Sequence, residues 1–279
     1  MAPPTVKVAI LDLYNNEPNQ GLRCLRDIIE DCNRRTPDVQ VTHTTYEVRY
    51  KNHVPGLEYD IYISSGGPGS PFDGEGKVWE KRYFNLLDAI WSYNQQAEGA
   101  RKYIFFICHS FQMMCRFFNL ARIRRRQFYS FGIFPMRKTP QGQSDFLLRP
   151  LPEPYYAADF RQFEVVQPNA GVLQELGAEV LSLESASHRP EGERALMAIR
   201  ISPEVYGTQY HPEADPVSML YHFRQPERKQ QVVAEHGEAA YRQMIEHLED
   251  PEYITLTRKN ILPRFLMHAI HALYPESIG

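Results

Sequence analysis

"RKYIFFICHSFQMMC" (Arg101–Cys115) changes its period halfway along. Tyr103 to Ile107 are aromatic or β-branched and uncharged, which suits a buried strand. From Ser110 onward, Phe111, Met114, Cys115 and Phe118 fall at the spacing of one helix face. Cys108 therefore sits at a strand-to-helix joint. Two readings of its thiol stand. It is a small hydrophobe packed near a helix start, or it is thrust out of the sheet by a tight turn, where helix amides and dipole favour the thiolate. In the second reading the His109 amide faces a developing oxyanion. The His109 side chain, as a neighbour on a sharp turn, points elsewhere.

The segments before this joint alternate. "VKVAILDLY" (Val6–Tyr14) is a first buried strand, and Leu22, Leu25, Ile29 and Cys32 keep helical spacing after it. "VQVTHTTYEV" and "YDIYISSGGPGSP" follow as strands, the second running into a glycine turn. Trp79, Tyr83, Leu86, Leu87 and Ile90 then form the apolar stripe of a long helix. This order predicts an α/β fold: a doubly wound, mostly parallel sheet with helices on both faces. From Ala121 to about Val166 the chain turns β-rich and irregular, and three more strands lead to Asp215. After Asp215 the composition is helical. Ile261, Leu262, Phe265, Leu266, Ile270 and Leu273 make a wide stripe that needs covering. The expected organisation is a core domain over 1–215 and a C-terminal helical extension over 216–279, packed on that core.

At 279 residues with 43% hydrophobic content, the chain can bury a large core, and a net charge of −3 gives no basic field for nucleic acid. No apolar run approaches the ~18 residues of a membrane span, and "MAPPTVKVAILDLY" lacks the form of a signal peptide. Cys24, Cys32, Cys108 and Cys115 make no Cys-x-x-Cys pair, so reduced thiols in the cytoplasm are expected. Cys24 and Cys32 fall in a predicted helix and read as packing residues. Neither a cofactor nor a metal site is expected.

Two further stretches carry possible chemistry. In "GTQYHPEAD", Pro212 disfavours helix for His211, and extended residues two apart share a side, which pairs His211 with Glu213. A carboxylate beside an imidazole orients it and stabilises its charged form, as a base for a thiol requires. A plain surface turn is the competing reading. "SSGGPGSP" lacks the Lys-Ser/Thr pair of a phosphate loop. It is either a simple turn or a loop whose Gly67 amide faces Cys108. "RIRRRQ" (Arg122, Arg124–Arg126) is either a docking or anionic-substrate patch, or a solvated strand edge.

Taken together, "SGGPGSP", "FICHSFQ" and "GTQYHPE" resemble the class I (Cys-His-Glu triad) glutamine amidotransferases, in that family's order, over roughly residues 6–215. With "LDLYNN" and "QYHPEAD", the similarity leans towards the glutaminase part of GMP synthase. The resemblance implies Cys108 as nucleophile, His211 as base and Glu213 as its orienting group. It implies Gly67 and His109 as oxyanion amides and Gln112 as a substrate-binding residue. It also implies hydrolysis of the glutamine γ-amide through a thioester, with ammonia released to a separate synthetase. Two alternatives stay open: a stand-alone hydrolase of γ-glutamyl amides or peptides, and a non-catalytic binding module. Phe106 and Ser110 replace the family's elbow glycines, and His109 replaces an apolar residue. Phe106 implies a reshaped elbow or glutamine pocket. No "SGGVDS"-like loop of an ATP-pyrophosphatase half is present.

Overall fold

The computed structural model describes residues 3–186, 193–250 and 253–275. Its first half follows the alternation of the sequence. Strand β1 (Thr5–Asp12) leads to helix α1 (Gly21–Arg35), then β2 (Gln40–Glu47), a single turn α2 (Val48–Lys51) and β3 (Ile61–Ser64). Helix α3 (Val78–Gln96), strand β4 (Tyr103–Ile107) and helix α4 (His109–Phe117) complete it. Every residue of β3 and β4 is buried, the burial expected of parallel strands covered on both faces. Cys24, Leu25, Ile28, Ile29 and Cys32 of α1 are buried, as are Trp79, Tyr83, Leu86, Leu87 and Ile90 of α3.

The second half is built of hairpins. Strand β5 (Ala121–Lys138) is followed by the short α5 (Pro140–Ser144), β6 (Tyr155–Pro168), α6 (Ala170–Leu176), β7 (Glu179–Glu184), β8 (Leu196–Ser202) and β9 (Val205–Thr208). All these strands join one nine-stranded sheet in the order β2-β1-β3-β4-β9-β8-β7-β5-β6. The pairings from β2 to β9 are parallel, and those from β9 to β6 antiparallel. The antiparallel half is thus larger than the alternating pattern implied, because the stretch after Ala121 turns back through hairpins without crossover helices. A register break between Arg125 and Ser130 interrupts the long β5–β6 ladder.

One close contact fixes how α4 lies on the sheet. Gly207 of β9 pairs with Phe106 of β4, and a Cβ at Gly207 would stand 2.7 Å from Phe111 Cδ2. The missing side chain lets Phe111 and Met114 of α4 press onto the strand. Phe106 packs into the core on the α3–α4 side, around a small apolar void of about 10 Å³.

Three helices end the chain: α7 (Pro216–Phe223), α8 (Pro226–Glu249) and α9 (Ile254–Leu273). Pro251, Glu252 and residues 276–279, the end of the expected extension, lie outside the described residues. Ile261, Leu262, Phe265, Leu266 and Ile270 of α9 are fully buried in one cluster with β1, β4 and α1 residues. The Phe265 ring lies 5.2 Å from Phe105 and 5.9 Å from Tyr206, edge-on to both. Helices α7 and α8 build a further cluster with the β5–β6 hairpin, in which Phe223, Val232 and Met244 meet Phe131. Among the described residues, no helix is long and apolar enough to cross a membrane.

Because α9 fills the core instead of decorating it, Phe265→Ala is expected to destabilise the whole protein by about 3–5 kcal/mol. Urea unfolding followed by far-UV and near-UV circular dichroism should show one shifted transition. An early, separate melting of the C-terminal helices would contradict this packing.

Candidate active site

Cys108 occupies the one-residue joint between β4 and α4, with φ 51° and ψ −101°. Such a backbone is rare for any residue but glycine. Its amide donates to Thr208 O at 2.8 Å, and its carbonyl accepts from Gln112 N at 3.1 Å. Ser110 braces the turn from within. Its Oγ accepts from the Ile107 amide at 2.8 Å and donates to Ser64 O at 2.7 Å. The serine at an expected elbow glycine is therefore a tie between β3, β4 and α4.

The sulfur faces a cavity of about 440 Å³ that is also lined by Gly67, His211 and Glu213. Cys108 Sγ lies 3.5 Å from Phe160 O and 3.8 Å from Gln209 Nε2. The His211 amide donates to Ala158 O at 2.8 Å, which anchors the residue against β6. His211 Nδ1 is 2.8 Å from Glu213 Oε1, and the same ring lines the cavity together with Cys108. The chain turns at Pro212 and Glu213 instead of staying extended, yet the two side chains still meet. Gly66 makes room for the ring: a Cβ there would stand 2.7 Å from His211 Cε1.

Burial alone would lower the His211 pKa. The Glu213 carboxylate and the Cys108 sulfur outweigh it and raise the value well above that of an ordinary imidazole. Glu213 is itself buried, and its Oε2 has no hydrogen-bond partner among the described residues. The Arg258 guanidinium of α9 donates to the Glu213 carbonyl, so the C-terminal helix holds this turn from behind.

As the first residue of α4, His109 has an amide with no acceptor inside its own helix. Its side chain points away from the cavity and is buried. That burial, with Arg49 and Arg116 nearby, lowers its pKa to about 3, so the ring is neutral. Gln112 departs from the role implied for it. It is buried outside the cavity, and its Nε2 donates to Phe163 O at 3.2 Å and to Gln209 Oε1 at 3.1 Å. It reaches the sulfur only through Gln209. Phe106 likewise stays clear of the cavity, so its bulk reshapes the core and not the pocket.

Sequence reasoning passed over several cavity residues. Tyr14 follows β1, a position that the rule of strand carboxyl ends would have flagged. Burial, then Glu213 and Cys108, raise its pKa. Cys24, expected as packing, lines the cavity and donates to Asp215 Oδ2 at 3.0 Å. Burial and that carboxylate push its thiol up to about 12, so it stays protonated. Phe160 sits in a hairpin strand without any motif to mark it. In the arginine run, Arg122 and Arg125 are exposed, whereas Arg124 and Arg126 are engaged by carboxylates. Arg124 and Arg126 pair with Glu164 at 2.8 and 3.0 Å, and Arg126 also pairs with Glu184 at 2.8 Å. Among the described residues, no group of three His, Cys, Asp or Glu side chains could hold a metal.

Residues 22–225 match the sequence profile described as glutamine amidotransferase class-I. Among curated proteins, no sequence matches. A glutamine amidotransferase from Thermotoga maritima shares the fold with a TM-score of 0.67 at 15% identity, over 95% of this chain and 98% of its own. A glutamine amidotransferase from Methylobacillus flagellatus does so with 0.62 at 14%, over 97% and 96%. A GMP synthase subunit-like protein from Thermoplasma acidophilum aligns with 0.50 at 14%, over 75% and 85%. The first two likenesses run through nearly the whole chain, helical tail included, while the third leaves a quarter of it unmatched. The profile match spans most of the sequence, and the chain belongs to the class-I glutamine amidotransferase family.

Proposed function

We propose that this cavity is the active site of a Cys-His-Glu amidohydrolase that cleaves the γ-amide of glutamine, or of a γ-glutamyl compound, through a thioester. The observation that carries the proposal is the convergence of Cys108, the His211–Glu213 pair at 2.8 Å and Gly67 on one cavity. His211 takes the thiol proton, and the thiolate attacks the amide carbon. The amides of Gly67 and His109 receive the oxyanion. His211 then returns a proton to the leaving nitrogen, and the C–N bond breaks. Water attacks the thioester with His211 as base, releasing glutamate and the free thiol. Glu213 keeps the ring oriented and its charged form stable. Gln112 acts at one remove, holding Gln209 against the sulfur. With glutamine as donor the product is ammonia, passed to a separate synthetase. The reduced thiols this chemistry needs suit a cytoplasmic setting.

Mass spectrometry of intact protein, quenched after mixing with a panel of γ-glutamyl amides, should find a γ-glutamyl adduct on Cys108. Cys108→Ala should abolish the adduct and lower amide turnover by about 10³-fold or more. A folded protein that releases neither ammonia nor amine, and never acquires the adduct, would remove the proposal.

Glu213→Gln should lower kcat by about 10²–10⁴-fold. It removes the foremost group that raises the His211 pKa, so the imidazole should titrate at lower pH in the variant. NMR of the ring Cε1 proton reads this directly. A raised folded-state value means that the coupling stabilises the protein fully below the ordinary imidazole range, and that this is lost as pH climbs through the folded midpoint. The stability cost of Glu213→Gln should therefore shrink on the alkaline side of that midpoint, as denaturant midpoints against pH will report.

A further inference from the structure

We infer that the donor is a γ-glutamyl amide whose amine carries an aromatic or bulky apolar group, received by a wall of Phe160, Phe131, Tyr129, Met219 and Tyr221. The inference rests on the amidohydrolase reading above and adds the substrate class.

Glutamine has about ten non-hydrogen atoms, whereas pockets of about 300–1,000 Å³ enclose drug-sized ligands. The cavity here holds about 440 Å³. Its lining is also divided by chemistry. Tyr14, Glu17, Asn19 and Gln20 from the β1–α1 loop, with Asp215, Ser218 of α7 and Arg228 of α8, supply the polar lining. Tyr129, Phe131 and Phe160 of the β5–β6 hairpin, with Met219 and Tyr221 of α7, supply its aromatic and apolar lining. There the Phe131 ring is 5.0 Å from Phe160 and 5.7 Å from Tyr129.

An amide has two halves to place. The glutamyl half ends in an ammonium and a carboxylate, which cannot be desolvated against aromatic rings without partners. It belongs with the polar lining. The amine half is left for the rings, and the catalytic geometry agrees. His211 delivers the proton to the leaving nitrogen, and the Phe160 ring packs against the His211 ring at 5.7 Å. Whatever is bonded to that nitrogen therefore departs past Phe160. Departing ammonia would gain nothing from this wall. Tyr221 extends it to the mouth, where its ring is 73% exposed although Phe223 on the same helix is fully buried.

The reaction balances as a hydrolysis. The Cys108 thiolate bonds to the γ-carbonyl carbon, the C–N bond breaks, and the amine leaves with the proton from His211. Water then cleaves the thioester, giving glutamate and restoring the thiol. No oxidant or cofactor takes part.

The test compares kcat/KM for glutamine, γ-glutamyl ethylamide and γ-glutamyl cyclohexylmethylamide, whose two alkylamines are similarly basic so that binding, not leaving ability, is read. Cyclohexylmethylamide should exceed both others at least tenfold. Tyr221→Ser and Tyr129→Ser, at half-buried or exposed positions, should each reduce the cyclohexylmethylamide-to-ethylamide ratio severalfold. Equal or poorer use of the bulky amide would overturn the inference and leave the amidohydrolase reading standing. A preference that neither variant alters would overturn the assignment of the wall. Inertness of all three amides, with no adduct on Cys108, would overturn both.

Discussion

Cys108 is held at φ 51°, ψ −101° by contacts that all lie outside its side chain. A non-glycine residue in such a conformation costs on the order of 1–3 kcal/mol and persists only where its surroundings over-determine it. Three strands and a helix share that task. β9 accepts the Cys108 amide, Ser110 clamps Ile107 to Ser64, and Gly207 lets α4 press down on the sheet. The turn is thus fixed by backbone and neighbouring groups, while the thiol, itself buried beside Phe160 O and Gln209, lines the cavity.

The rest of the site is organised by what burial does to charge. His211 and Glu213 tolerate a buried position because each supplies the other's counterpart, and the orphaned Glu213 Oε2 shows that the carboxylate is not fully satisfied elsewhere. A second set of charges fixes the hairpin that carries Phe160. Arg124 and Arg126 bind Glu164, Arg126 and Arg161 bind Glu184, and Arg161 also binds Asp159 at 2.9 Å, which accepts from Ser130. This network spans the register break in β5–β6, where the ladder gives no support. Side chains there replace missing backbone hydrogen bonds.

The sequence made the parallel half and the three site segments legible because both depend on local pattern. Burial gives β3, β4 and the Val8–Leu11 stretch of β1 their apolar runs, and a helix start following a strand announces the elbow. What stayed hidden depends on partners distant in the chain. The glutamates that neutralise Arg124 and Arg126 lie some forty to sixty residues on, so the run read only as a docking patch or a solvated strand edge. Gln112 looked like a cavity residue, but its amide is satisfied by Phe163 and Gln209. Phe106 implied a reshaped elbow or glutamine pocket, but its ring packs with Leu87, Ile90 and Phe118 in the core.

The C-terminal helices share in supporting the site. α9 carries Arg258, which holds the Glu213 carbonyl, and Phe265, which packs beneath β4 and β9 at the base of the elbow. α7 begins at Pro216, directly after the His211–Glu213 turn, and brings Met219 and Tyr221 to the cavity. Arg23 of α1 closes the loop by binding Asp215 at 2.5 Å. A segment that the sequence presented as an appendage thus supplies a wall of the cavity and the rear support of its acid. The sheet and the tail cannot be repacked independently, since α9 contacts both the Glu213 carbonyl and the strands that lead to Cys108.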